Sequence, residues 1–230
     1  VMLCFEAVVP TASKEIKISI AADSLYRLYI NGNMVCHGPA RCGKGSWRVD
    51  VIDITDYLNC ERNTVRIDVQ SHNVQSFEYV KQNGFLQAEI VSGEEVLAAT
   101  GVKGDFTARL NLSKQRVIDR YSYQRPFLEA WQLPMQYSDE VELCEVENIK
   151  LLARRSDIPE FNRVYPKTMI AQGKFDNNRK CEKIVNSRHE FADRPNFSYY
   201  TEEISPLVRK FMYTARSVEI QNNCENCSIC

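Results

Sequence analysis

Apolar and polar residues alternate with a period of two through most of the first 130 positions, the signature of half-buried strands. Residues 3–9 read as a strand closed by Pro10, and Ile16, Ile18 and Ile20 then share one face with Lys17 and Ser19 on the other. Residues 25–30 form a further strand that runs directly into Asn31-Gly32, the pair favoured where a tight hairpin needs φ > 0 at both central residues. Met34 and Cys36 return along its partner. Trp47, Val49 and Val51 alternate with Arg48 and Asp50, residues 53–58 read as a short capped helical turn, and Val65, Ile67 and Val69 make the next strand face. Leu86, Ala88 and Ile90, the Ser92-Gly93 turn, and Val96 with Leu97 predict a second hairpin. Phe106, Ala108, Leu110 and Leu112 supply another face, and residues 121–131 a last strand that Pro126 confines to an edge or bulge. Eight or nine strands in about 130 residues, with no intervening helices of βαβ length, predict a mainly β chain built as an antiparallel sandwich or jelly roll.

The pattern changes after Pro134. Residues 138–147 are acidic, 154–167 carry Pro159 and Pro166 with little periodicity, and 170–205 are polar and rich in Asn and Arg. Residues 211–220 alternate again as one strand. This divides the chain into a sandwich over 1–135 and, over 136–230, a linker with a smaller, partly irregular β region. With 29 Lys and Arg against 30 Asp and Glu, and a formal net charge of -1, the chain lacks the basic excess of a nucleic-acid binder. No apolar run approaches the roughly 18 residues that would predict a membrane helix. Nine cysteines, an odd number at irregular spacing, read as mostly reduced and partly buried thiols. No charged-then-apolar leader opens the chain, which favours the cytoplasm, or the periplasm or exterior if a signal peptide has been removed.

The segment Ala22-Asp23-Ser24-Leu25-Tyr26-Arg27-Leu28-Tyr29-Ile30-Asn31-Gly32, followed by Gly38-Pro39-Ala40-Arg41, Trp47-Arg48 and Asp53-Ile54-Thr55, resembles the N-terminal β-sandwich of bacterial α-L-rhamnosidase-like glycoside hydrolases. Leu58-Asn59-Cys60-Glu61-Arg62-Asn63 and Val65 are similar to that family's entry into its next strand, with Cys60 where glycine is usual. Tyr123 to Glu129 looks like its closing strand, and Leu151-Leu152-Ala153-Arg154-Arg155 with Pro159 like its linker. The resemblance, which covers roughly residues 1–165, implies a galactose-binding-like jelly roll. It also implies that inverting hydrolysis would reside in a large (α/α)₆ barrel following the sandwich, so this chain would be a non-catalytic portion whose partner is that C-terminal catalytic domain.

Arg41, Trp47 and Tyr29 are the candidate carbohydrate-binding residues. An aromatic ring beside an arginine at a sandwich rim can stack on the apolar face of a sugar, here a rhamnose-containing glycan, and hydrogen-bond its hydroxyls. The competing reading makes Trp47 core and pairs Arg41 with Asp50 or Asp53, leaving a purely structural or interaction module. Inverting chemistry needs carboxyls about 6.5–9.5 Å apart across a pocket, whereas Glu94-Glu95, Asp139-Glu140 and Glu202-Glu203 all read as solvated surface, so no catalytic residue is assigned. Cys224, Cys227 and Cys230 have metal-ligand spacing, with Cys181 or His189 as a fourth ligand, but they read as a frayed terminus. Alternation puts Cys36 and His37 on opposite faces, which argues against their joining Cys42 around a metal. Neither a nucleotide loop nor a Ser-His-Asp arrangement is present, and no cofactor is expected. Jelly rolls of this kind often hold a structural calcium ion, for which Asp50 and Asp53 offer carboxylates. Asn111-Leu-Ser113 and Asn196-Phe-Ser198 fit the glycosylation pattern, by chance in a bacterial-looking chain.

Overall fold

The structure, a computed structural model, describes residues 1–11, 14–76, 78–101, 104–114, 129–147, 149–162 and 164–168. Among them run β1 (Met2–Pro10), β2 (Ile16–Asp23), β3 (Leu25–Ile30), β4 (Asn33–Gly38), β5 (Ser46–Asp53), one 3-10 turn (Thr55–Tyr57), β6 (Arg62–Gln70), β7 (Phe85–Ser92), β8 (Glu95–Ala99), β9 (Thr107–Asn111), β10 (Tyr137–Glu140) and β11 (Lys150–Ala153). They form two sheets, a six-stranded one in the order β10-β9-β1-β6-β3-β4 and a five-stranded one in the order β11-β5-β2-β7-β8. Every pairing is antiparallel except that of β11 with β5, so the fold is the expected β-sandwich with one parallel edge. Among the described residues no helix is long and apolar enough to cross a membrane.

The sheets form because their sequences alternate. Ile16, Ile18 and Ile20 of β2 meet Tyr26, Leu28 and Ile30 of β3 in one apolar core, each at most 1% exposed. Burying an isoleucine or leucine contributes about 1.5–3 kcal/mol. The β3–β4 hairpin turns at Asn31 (φ 50°) and Gly32 (φ 79°), as the Asn-Gly pair predicts. Asn31 does more than bend: its Oδ1 accepts the Thr64 N–H at 3.0 Å and its Nδ2 donates to Asn63 Oδ1 at 2.8 Å. Asn63 is fully buried and ties down the 59–62 turn, accepting from Cys60 N and donating to Cys60 O and Thr11 Oγ1. Cys60 therefore sits in a turn held by side-chain hydrogen bonds.

The chain divides into two compact units. Val1–Ser113 and Leu133–Phe161 make up one, which contains both sheets, and Lys114–Gln132 with Asn162–Cys230 the other. In the second, Lys114 pairs with Glu129 at 2.8 Å and forms an antiparallel bridge with Trp131. Four local readings differ from the pattern analysis. Asp50 and Ile52 form the inward face of β5, so Trp47, Val49 and Val51 lie on its outer face and not in the core. Leu112 lies past the end of β9 and is half exposed, so the core-facing series stops at Leu110. Tyr137–Glu140 and Lys150–Ala153 are strands despite weak alternation, because edge strands need only one partner and need not bury a face. Most of the strand expected over 121–131, the strand expected over 211–220, and the Cys224, Cys227, Cys230 cluster with Cys181 and His189 lie outside the described residues.

Candidate functional site

Trp47 lies on β5 with its side chain on the outer face of the five-stranded sheet, since Asp50 and Ile52 of the same strand point inward. The β2–β5 register ends with Ile20 paired to Asp50, and three residues further along each strand Asp23 and Trp47 meet through their side chains, while β7 brings Phe85 opposite Asp23. Leu151 of β11 flanks Trp47 on its other side. The result is a row of four side chains across one end of the outer face. The half-buried indole stands edge-on to Phe85 at 4.8 Å between centroids, and its Nε1 donates to Asp23 Oδ1 at 3.3 Å.

Two loops close over this row. Gln82 donates to Asp23 Oδ1 at 2.8 Å, and its Oε1 accepts the Gly45 N–H at 3.1 Å, linking loop 71–84 to loop 39–45. Arg41 adds a second link through Nη2 to Glu78 Oε1 at 3.3 Å, with its own side chain 72% exposed. His72 stacks on Tyr79 at 4.1 Å, and the His72 N–H reaches Ser24 Oγ at 3.2 Å. Asp23, at 4% exposure, lies beneath both loops. Burial holds its carboxyl above the ordinary range, while donors from Gln82, Trp47 and Ser24 oppose that shift.

Arg41 and Trp47 therefore belong to one end of the molecule. Tyr29 does not: it projects from β3 on the outer face of the six-stranded sheet, where the Arg66 guanidinium lies 4.2 Å from its ring centroid. Arg41 pairs with Glu78, not with Asp50 or Asp53. Asp50 is fully buried between the sheets, accepting from Arg154 Nη1 at 2.8 Å and from Tyr26 Oη at 2.6 Å. Asp53 Oδ1 accepts from Thr55 N at 2.9 Å and Thr55 Oγ1 at 2.6 Å. One carboxylate neutralised by a buried arginine and the other spent on a surface turn do not fit a calcium site. Among the described residues no cluster of His, Cys, Asp or Glu has metal-holding geometry. Cys36 is buried and His37 lies on the other face against Phe161. Burial pushes the Cys36 and Cys4 thiols up to about 12, so neither is a nucleophile near neutral pH. Glu94-Glu95 is an exposed hairpin turn, Asp139-Glu140 an exposed edge strand, and Glu202-Glu203 lies outside the described residues.

Sequence reasoning missed Asp23, Glu78 and Gln82. Asp23 had a signal, a carboxylate at the outward position closing an otherwise apolar strand. Glu78 and Gln82 had none, because loop 71–84 carries no periodicity.

No protein-family model matches the sequence, and no curated protein does. Among solved structures, the chain is similar to the GH78 family rhamnosidase of Bacillus sp. GL1, with a TM-score of 0.55 and 25% identity over 68% of this chain and 18% of that one. The likeness is to a β-sandwich portion of that rhamnosidase. This chain thus spans less than a fifth of the Bacillus protein's length. The α-L-rhamnosidase from Dictyoglumus thermophilum has a TM-score of 0.44 at 14% identity, over 66% of this chain and 19% of that one. The α-L-rhamnosidase from Aspergillus terreus has a TM-score of 0.44 at 15% identity, over 65% of this chain and 20% of that one.

Proposed function

We propose that this sandwich is a non-catalytic, carbohydrate-binding portion of an α-L-rhamnosidase-like glycoside hydrolase, placed N-terminal to a barrel that carries the chemistry. The likeness to the Bacillus rhamnosidase carries the reading: 68% of this chain is accounted for by a segment amounting to 18% of that enzyme. Trp47 and Arg41 are the contact residues of the proposal. Leu151 and the Trp47 ring offer an apolar strip, and Arg41 and Glu78 beside it offer hydrogen bonds to sugar hydroxyls. Tyr29, on the other sheet, takes no part in that contact.

A ligand-observed NMR titration with L-rhamnose and rhamnose-containing oligosaccharides, followed for a day, tests both halves of the proposal. Binding without release of rhamnose is expected. Arg41→Ala and Trp47→Phe should weaken binding by about tenfold, the loss of roughly one hydrogen bond or stacking contact, while Tyr29→Ala leaves it unchanged. Release of free rhamnose would overturn the non-catalytic assignment. A second reading, a structural module without a sugar site, is favoured by the Trp47 indole's own hydrogen bond to Asp23 and its packing on Phe85. No binding to any of these sugars would select it.

A further inference from the structure

Loops 39–45 and 71–84 differ in charge from the chain that carries them. Between them they hold Arg41, Lys44 and Lys81 as cations and Glu78 as the only acid, in a protein whose net charge is -1. Glu78 is already engaged by Arg41, and its side chain is only 17% exposed. Asp23 beneath the loops is buried and faces four donors, from Gln82, Trp47, Ser24 and Ser71. Lys44 and Lys81 are exposed, and each immediately precedes one member of the Gly45–Gln82 hydrogen bond, so the contact that joins the loops also brings the two lysines to one rim. Arg41 holds Glu78 through one nitrogen and leaves most of its guanidinium fork in solvent.

We infer that the ligand of this surface is an anionic glycan, one bearing sugar carboxylates. The inference rests on the carbohydrate reading above and names its substrate class. A neutral glycan can use Arg41 as a hydrogen-bond donor to its hydroxyls but gains nothing from the charge of the two lysines beside it. A uronate presents a planar carboxylate that Arg41 can take in bidentate fashion, and Lys44 and Lys81 add attraction that falls off over a Debye length of about 8 Å at physiological salt. The Trp47 and Leu151 strip still supplies contact for the ring of the sugar.

The test compares an oligomer of galacturonic acid with its carboxyl-reduced, neutral counterpart by calorimetry on the full 230-residue chain at low and physiological salt. The acidic oligomer should bind about tenfold or more tightly than the neutral one, and the preference should shrink as salt rises. Lys44→Ala with Lys81→Ala should reduce the preference several-fold and flatten its salt dependence, Lys→Arg at both positions should restore it, and adding Arg41→Ala to the double variant should abolish it. These exposed side chains leave the fold intact, which circular dichroism checks. Equal affinity for the two oligomers overturns the anionic assignment while the carbohydrate reading stands. Binding of neither, with no binding of rhamnose-containing oligosaccharides, overturns both. Equally tight binding of heparin that ignores Trp47→Phe marks unspecific attraction of polyanions, and also overturns the assignment.

Discussion

Two buried aspartates show how the same side chain takes opposite roles. Asp50 is fully buried and held by Arg154, whose remaining donors reach Ser156 O at 2.8 Å and Asp157 O at 3.1 Å. Removing one partner of a buried pair leaves an uncompensated charge and costs about 3–5 kcal/mol. Arg154→Ala should therefore destabilise the fold by that amount, measured by urea titration, whereas Arg154→Met with Asp50→Asn recovers most of it. Among the described residues no cation lies beside Asp23, and burial raises its folded pKa above the 3.8 of an unhindered aspartate. The folded state then binds the proton more tightly than the unfolded chain. Stability from this site is full below the ordinary carboxylate range and is lost as pH rises through the raised value. Asp23→Asn keeps an oxygen for Trp47 and Gln82, so its melting temperature should exceed that of the parent near pH 7, with the gap closing at pH 4. Equal gaps at both pH values would sink the assignment. Neither role was legible in the sequence: Asp50 reads as an ordinary outward residue of an alternating strand until an arginine 104 positions away is brought to it.

At the scale of elements, the strands that alternate were legible and the segments that hold them together were not. The expected faces of β2, β3, β6, β7 and β9 are found because alternation is a local consequence of burying one side of a sheet, whereas β5 is turned over, with Asp50 and Ile52 inward and Val51 in solvent. Loop 71–84 and β11 are positioned by distant partners, Gln82 by Asp23 and Gly45, and β11 by the edge of β5, which no window of sequence contains. The β3–β4 turn lies between these cases. Its Asn-Gly pair predicts the bend, but not that Asn31 also bonds Thr64 and Asn63 of the neighbouring β6. Asn31→Gly keeps the left-handed backbone and loses only these bonds, whereas Asn31→Ala loses both. With about 1 kcal/mol for each hydrogen bond and about 1 kcal/mol for the strained backbone, Asn31→Gly should cost roughly 2 kcal/mol and Asn31→Ala roughly 3. Thermal unfolding of the two variants separates the contributions, and equal destabilisation would show that the turn's own conformation contributes little.

For the whole molecule, the question is where the sandwich ends. The change in composition after Pro134 invites a boundary there, yet β10 pairs with β9 and β11 extends the five-stranded sheet. β11 also delivers Arg154, whose N–H reaches Val49 O at 3.3 Å and whose guanidinium neutralises Asp50. A chain ending at residue 145 keeps every strand through β10 and still leaves the Asp50 carboxylate buried against Tyr26 with no cation. Its cost should match that of Arg154→Ala and add the backbone bonds of one edge strand. Set against the 5–15 kcal/mol typical of a folded domain, that is a large fraction of the total. A chain ending at residue 165 retains β11, Arg154 and the Phe161 contact with His37, and should give a dispersed amide spectrum and a cooperative melt. The chain ending at 145 should melt at least about 10 °C lower or fail to fold, and adding Asp50→Asn to it should restore part of the loss, because a neutral amide in place of the carboxylate no longer needs the arginine. If the two truncations melt together, Arg154 is an ornament on a sandwich complete without it, and the boundary belongs before β11.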